Sequence, residues 1–177
     1  AVESALRTGY RHIDTAAVYQ NETEVGEGLV SSGVPRADIY LVTKLWNSEQ
    51  GYDKALRAFD ASAQRLGVDY VDLYLIHWPL PEINLYVESF KALSTLRDEG
   101  RVRSIGVSNF QPEHLRTLID ATGIVPAVNQ IELHPRLPQQ ELRDLHAELG
   151  IATEAWSPLG QGGLLSEPAV TAIAETH

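Results

Sequence analysis

One unit recurs along the chain: an amphipathic helical stretch, a glycine, then a short apolar run that ends in polar residues. Gly9, Gly33, Gly67, Gly100, Gly123 and Gly150 each close such a stretch, where a residue free to take positive φ caps the last turn at little cost. The apolar runs that follow are Tyr10–Ala16, Ile39–Leu45, Val71–Ile76, Ser104–Ser108, Ala127–Leu133 and Ile151–Trp156. They are rich in Val, Ile, Leu and Tyr and alternate little, the pattern of parallel strands covered on both faces. Helices are predicted over Glu22–Ser32, Asp53–Leu66, Leu85–Glu99, Glu113–Ala121 and Gln139–Leu149. Pro112 and Pro138 stand just before two of them, where a missing N–H costs nothing. Ala1–Thr8 reads as the tail of a further helix and Pro168–His177 as the start of another.

This alternation predicts a parallel sheet with right-handed crossovers, either a doubly wound open sheet or a closed barrel. The polar residues choose between them. Every strand delivers its polar cluster at the C-terminal end: Asp14, Lys44, His77, Ser108–Asn109, Gln130–Glu132 and Trp156–Ser157. In a barrel these ends converge on one mouth, whereas in an open sheet only those near the switch point meet. A Gly-x-Gly-x-x-Gly loop after an early strand is also missing, against the dinucleotide-binding sheet. The expectation is one incomplete α/β domain over residues 1–177, a (β/α)8 TIM barrel of which this chain covers about six of eight units. The first and last strands are then missing, and the polypeptide is expected to be longer than this chain.

Composition narrows the function. With 14 Lys+Arg against 24 Asp+Glu the net charge is −10, which disfavours nucleic acid and anionic membranes as partners. The chain has no cysteine, which excludes disulfides, thiolate metal sites and a cysteine nucleophile. Its longest apolar runs are strand-sized, far below the ~18 residues of a membrane span.

Four residues at or just beyond the first three strand ends make a coherent acid–base set. Lys44 can pair with Asp14, and its ammonium can lie beside the phenol of Tyr19. A positive charge there favours phenolate, which makes Tyr19 a better general acid for a carbonyl oxygen turning into an alkoxide. His77 can bind the same oxygen through a ring nitrogen. Taken singly, each residue has an ordinary structural reading, an ion pair or an amphipathic loop residue. Their joint position on successive strand ends favours chemistry.

The string from Gly9 to Glu22, GYRHIDTAAVYQNE, resembles the aldo-keto reductase family. The similarity continues through LVTKLWN (41–47), VDLYLIHWP (71–79), IGVSNF (105–110), NQIELHP (129–135) and AWSPLGQG (155–162). The cast looks most like the bacterial 2,5-diketo-D-gluconate reductase-like members. The resemblance implies an NAD(P)H-dependent reductase of aldehydes or ketones, with Asp14, Tyr19, Lys44 and His77 as its tetrad and Tyr19 as proton donor. It implies that Ser108, Asn109 and Gln130 bind the nicotinamide carboxamide, that Trp156 stacks on the ring, and that Ser157, Leu159 and Gln161 embrace the pyrophosphate. Trp46 and Trp78, with His77, correspond to the substrate pocket. NADPH is the expected cofactor by family alone, since the basic segment that holds the adenosine phosphate is not in this chain; NADH stays open. The expected partner is a small carbonyl substrate, and a soluble, cytoplasmic, mostly monomeric enzyme is implied.

Three other readings are weighed against this one. A cofactor-binding regulatory barrel with little turnover would not need a primed phenol. A metal-dependent hydrolase using His12, Asp14, His77, Glu132 and His134 would need a His-x-His pair that Arg11-His12-Ile13-Asp14 does not supply. A Schiff-base lyase through Lys44 is opposed by Asp14, which keeps the lysine charged. Outside the site, His114, His146 and His177 are expected to be solvated and His12 to pack against the barrel. Glu132 and His134 are expected to form a hydrogen-bonded structural pair, with no metal.

Overall fold

A computed structural model describes residues 1–176, so the expectation for His177 lies outside the described residues. Six strands, β1 (His12–Asp14), β2 (Tyr40–Leu45), β3 (Val71–Ile76), β4 (Val102–Ser108), β5 (Val128–Glu132) and β6 (Ala152–Trp156), lie side by side in sequence order. Each pairs in parallel with the next, and the sheet curls into a half-barrel. The order never reverses, so no switch point of a doubly wound sheet occurs among the described residues.

The helices are α1 (Val2–Arg7), α2 (Glu22–Ser32), α3 (Tyr52–Leu66), α4 (Tyr86–Asp98), α5 (Pro112–Thr122), α6 (Gln140–Leu149) and α7 (Pro168–Ala174). From α2 to α6 they differ from the expected spans by at most one residue at either end. The glycines do what the repeat demands: Gly33, Gly67, Gly123 and Gly150 cap their helices in the left-handed conformation.

Two strands depart from expectation. The first is only three residues long, not Tyr10–Ala16, and Tyr10 lies exposed outside its pairing with β2. The fourth starts earlier, at Val102, where it pairs with Val71.

Alternation along each strand divides structure from chemistry. Leu41 and Leu45 of β2, with Tyr74 and Ile76 of β3, face the helices and join one large core. Helix α3 supplies Ala55, Phe59, Ala63 and Leu66 to that core, at helical spacing. Phe59 packs edge-on against Tyr74 with ring centres 5.1 Å apart, a contact whose loss in Phe59→Ala costs about 3–5 kcal/mol. The intervening residues Val42, Leu73 and Leu75 form a second, smaller cluster inside the curl. Lys44 belongs to this inner set, fully buried. Both faces are thus covered, which is why the sequence shows no clean alternation of apolar and polar residues.

Gly106 in β4 permits that inner packing. A Cβ there would lie 2.6 Å from the Val128 carbonyl oxygen and 2.8 Å from Leu75 Cδ2.

Candidate active site

The strand ends converge as the barrel reading requires. Asp14 ends β1, Lys44 lies near the end of β2, His77 follows β3, Ser108 ends β4, and Gln130 and Trp156 close the set on β5 and β6. Lys44 Nζ donates to Asp14 Oδ1 and, at 3.1 Å, to the carbonyl of Thr15. It also lies 5.3 Å from the centre of the Tyr19 ring. Tyr19 ends a short 3-10 turn, Ala17–Tyr19, and is half exposed. Its ring meets His77 edge-on, with centres 5.8 Å apart, and Trp46 packs edge-on against the same imidazole at 5.2 Å.

His77 is buried, and its Nδ1 has no hydrogen-bond partner among the described residues. Burial, reinforced by the Lys44 charge and opposed by Asp14, lowers its pKa from 6.5 to about 4. The ring is therefore neutral near pH 7, with one N–H to give and one lone pair to accept.

A cavity of about 400 Å³ opens beside these groups, lined by Tyr19, His77, Trp78, Ser108, Asn109, Gln130, Trp156 and Ser157. Its polar walls are wired together. Ser108 Oγ donates to the Gln130 carbonyl at 2.9 Å, and Asn109 Nδ2 donates to the His77 carbonyl at 3.0 Å and to Ser108 Oγ at 3.1 Å. The Trp156 indole N–H donates to Asn109 Oδ1 at 2.9 Å. Asn109 and Ser157 both take positive φ, 63° and 49°. Single residues other than glycine held in this region are a mark of sites whose geometry is imposed by their surroundings.

Gln130 reaches across the mouth. Its Nε2 donates at 2.6 Å to Asp14 Oδ2 and at 2.6 Å to Glu154 Oε1. Sequence reading missed Glu154. The available signal was an acidic residue in the middle of a strand otherwise uncharged, and register places it directly opposite Gln130.

Not every anticipated residue reaches the cavity. Trp78 lines it, whereas Trp46 touches His77 from outside and lines a different cavity. Leu159 lies exposed, and Gln161 lies in the loop beyond Ser157. There a smaller cavity of about 260 Å³ adjoins Ser157, Gly160, Gln161 and Gly163.

The histidines are sorted by the fold. His146, expected in solvent, is buried: its ring nitrogens meet Asn129 Nδ2 at 2.9 Å and Thr153 Oγ1 at 2.8 Å. It follows Leu142 by four residues on the same buried face of α6, a spacing that marks it as core. His114 is also half-buried, with its ring against Tyr86 and Phe110 and its Nδ1 accepting from the Gln111 N–H. His12 packs against the Tyr40 ring yet stays exposed at the open edge. Glu132 and His134 pair at 3.3 Å, as expected. His12, Asp14 and Glu154 bring ligand atoms within 4.8 Å of one another, but Lys44 and the Gln130 amide already engage the two carboxylates.

Comparison with other proteins agrees with this geometry. The profile described as "Aldo/keto reductase family" matches residues 1–174. An aldo-keto reductase of Mycolicibacterium smegmatis is 75% identical over all of this chain and 64% of its own length. A morphine 6-dehydrogenase of Pseudomonas putida is 50% identical over the whole chain and 64% of its own length. A crystal structure of a variant of Gox0644 in complex with NADPH is 53% identical, superposes with a TM-score of 0.94, and aligns with 99% of this chain and 64% of that one. The chain thus spans a little under two thirds of these relatives. A match over nearly every residue, carried by six parallel strands whose polar ends share one mouth, leaves no doubt of kinship: this chain belongs to the aldo/keto reductase family.

Proposed function

We propose that the protein carrying this chain is an NAD(P)H-dependent oxidoreductase that reduces aldehydes or ketones to alcohols. The observation that carries the reading is the convergence on one cavity of a half-exposed phenol, a buried ammonium beside its ring and a neutral imidazole at its edge. The family name, the dehydrogenase name of one relative and the NADPH bound by a solved neighbour support it.

The cavity's donor set suits a nicotinamide. Its neutral hydroxyl and amide groups complement a carboxamide, and an indole offers a flat apolar surface. Because Gln130 Nε2 is engaged by two carboxylates, its side-chain oxygen is left to accept from a carboxamide N–H, and Asn109 Oδ1, which already accepts from the Trp156 indole, keeps a second lone pair. Trp156, held by Asn109, stacks on the ring, and Ser157, Leu159 and Gln161 carry the loop for the pyrophosphate. The bound cofactor supplies a hydride to the carbonyl carbon.

The chain's own residues manage the oxygen. His77, neutral, donates its N–H to the carbonyl oxygen and orients it between Trp78 and Tyr19. Tyr19 releases its proton to that oxygen as negative charge develops, and Lys44 stabilises the phenolate left behind. Asp14 keeps the lysine charged and in place. Trp46 sets the imidazole from behind. The protein acts in the cytoplasm as a monomer on small carbonyl compounds.

The test is substrate-dependent oxidation of NADPH and of NADH by the complete protein across a panel of small aldehydes and ketones. The reading expects turnover with at least one carbonyl and faster turnover with NADPH. Tight cofactor binding with no oxidation by any of them would overturn it in favour of a regulatory barrel.

A further inference from the structure

Strand β3 ends at Ile76, and the next two residues present an imidazole and an indole to the cavity at the mouth. The His77 N–H still donates to the Leu45 carbonyl, at 3.1 Å. The carbonyls of His77 and Trp78, however, are taken by side-chain amides. Asn109 Nδ2, from beyond β4, donates to the His77 carbonyl at 3.0 Å, and Gln50 Nε2, from beyond β2, donates to the Trp78 carbonyl at 2.7 Å. A backbone carbonyl only accepts, so the amide of Gln50 can turn only its NH2 group towards it. Because β2 and β4 flank β3 in the sheet, the two amides grip the segment from opposite sides.

The chain around Gln50 aims this donor. Gln50 follows the short turn Asn47–Glu49, which begins directly after Trp46, and it is buried at 2% exposure. Gly51 behind it takes φ 109° and ψ 152°, a conformation open in practice to glycine alone. The Gly51 N–H donates at 2.8 Å to Ser89 Oγ of α4, which itself donates at 2.8 Å to the Leu85 carbonyl. The backbone beside Gln50 is thus pinned to α4 while the side chain reaches Trp78.

The other half of the amide makes no bond. Gln50 Oε1 is buried and has no partner among the described residues. A polar atom in that state costs stability, and a methionine of similar length would fill the space without it. Packing alone therefore does not account for glutamine here, whereas a donor to Trp78 does. Trp78 needs one, since it is 40% exposed and its ring has little packing of its own to fix it.

We propose that Gln50 is a positioning residue for the carbonyl substrate, which acts through the Trp78 carbonyl to set the indole wall of the cavity at the mouth. Gln50 does not itself line that cavity. The inference rests on the reductase reading of the site.

In the complete protein, Gln50→Met keeps the length of the side chain and removes the donor and the stranded oxygen together. Steady-state kinetics with an aldehyde that the wild type reduces are expected to show KM rising about 5-fold, the weight of one neutral hydrogen bond. The values of kcat and NADPH affinity stay within about 2-fold, as when substrate binding is lost and chemistry is kept. The thermal midpoint holds or rises, because the stranded oxygen goes as well. In a Trp78→Ala background the same substitution is expected to leave KM within about 2-fold, since the indole it positions is gone. Gln50→Asn keeps the amide but falls one methylene short, and it gives the same KM rise should the methionine variant fold poorly. An unchanged KM overturns the inference, and a lower thermal midpoint beside it leaves Gln50 a structural role only. A KM rise of equal size in the Trp78→Ala background overturns it too. Should the wild type reduce no carbonyl, the reductase reading falls, and fluorine NMR of fluorotryptophan-labelled protein decides the positioning by itself. The Trp78 line, assigned by its loss in Trp78→Phe, is expected to shift or split in Gln50→Met; an unchanged line overturns the inference.

Discussion

The half-barrel holds a carboxylate with cationic partners at each end, and the two ends treat it differently. At the N-terminal end of the strands, Asp72 is buried and satisfied on every side. Its Oδ2 accepts from Arg36 at 2.8 Å and from the Leu41 N–H at 2.9 Å, and its Oδ1 accepts from Arg103 at 2.9 Å. Both guanidinium groups then stack on the Tyr70 ring, at 4.2 and 4.5 Å. At the C-terminal end, Asp14 meets Lys44 and Gln130, but the groups around it retain unused capacity. Tyr19 is half exposed and His77 Nδ1 is unpartnered among the described residues. The Asp72 carboxylate has used its hydrogen bonds and holds the fold, although Arg36 Nε beside it has no partner among the described residues. The mouth instead sets a half-exposed phenol beside a neutral imidazole, groups that can bind and transfer a proton.

Substitutions at the two ends separate these roles. At the mouth, Lys44→Met leaves Asp14 without its cation and the phenol without its electrostatic partner. Steady-state kinetics of carbonyl reduction are expected to show kcat falling by about 10²–10⁴-fold, the usual weight of a positioned acid–base group. At the closed end, Asp72→Ala strands two arginines and a backbone N–H. Denaturant unfolding is expected to show a loss of about 3–5 kcal/mol, with kcat per folded molecule unchanged. If Asp72→Ala cut kcat as deeply as Lys44→Met, the distinction between the ends would fail.

Gly106→Ala probes the wall between the ends. The added Cβ meets the Val128 carbonyl and Leu75, and the strand must shift at a cost of about 1–3 kcal/mol, read as a lower thermal midpoint.

A last effect concerns pH and grows only as the pH is lowered. His77 folds with its pKa lowered from 6.5 to about 4, so below pH 6.5 the unfolded chain takes up a proton that the folded chain refuses. Stability is therefore lost as pH falls from 6.5 towards 4. His146, also lowered by burial, contributes in the same direction. Chemical denaturation across that window is expected to show a shallower decline in His77→Gln than in the wild type; equal slopes would contradict the neutral, buried imidazole.

Much of this comparison was legible in the sequence, and the illegible part has a physical pattern. The repeat of helix, glycine and apolar strand fixes the helices because glycine at positive φ is a local requirement. Asp14, Lys44, His77, Ser108, Gln130 and Trp156 could be read because each stands at or next to the end of a strand, a position the repeat itself marks, and Tyr19 follows in the loop just beyond. Asp72 and Glu154 could not be placed this way. Each lies inside a strand, and what it does depends on residues about 30 and 24 positions away that only the register brings alongside. His146 looked like a surface residue by type, although its spacing from Leu142 told otherwise. The shortness of β1 was also hidden, since Tyr10 is strand-like by type yet lies exposed outside the pairing.

The most direct test of the open end is Tyr19→Phe in the complete protein, with NADPH affinity and carbonyl turnover measured on the same preparation. The account predicts that turnover falls by about 10²–10⁴-fold while the affinity for NADPH changes by less than about 3-fold, since the phenol moves a proton and does not hold the cofactor. Turnover within 10-fold of the wild type, roughly what less than 1.4 kcal/mol of transition-state stabilisation represents, would contradict it.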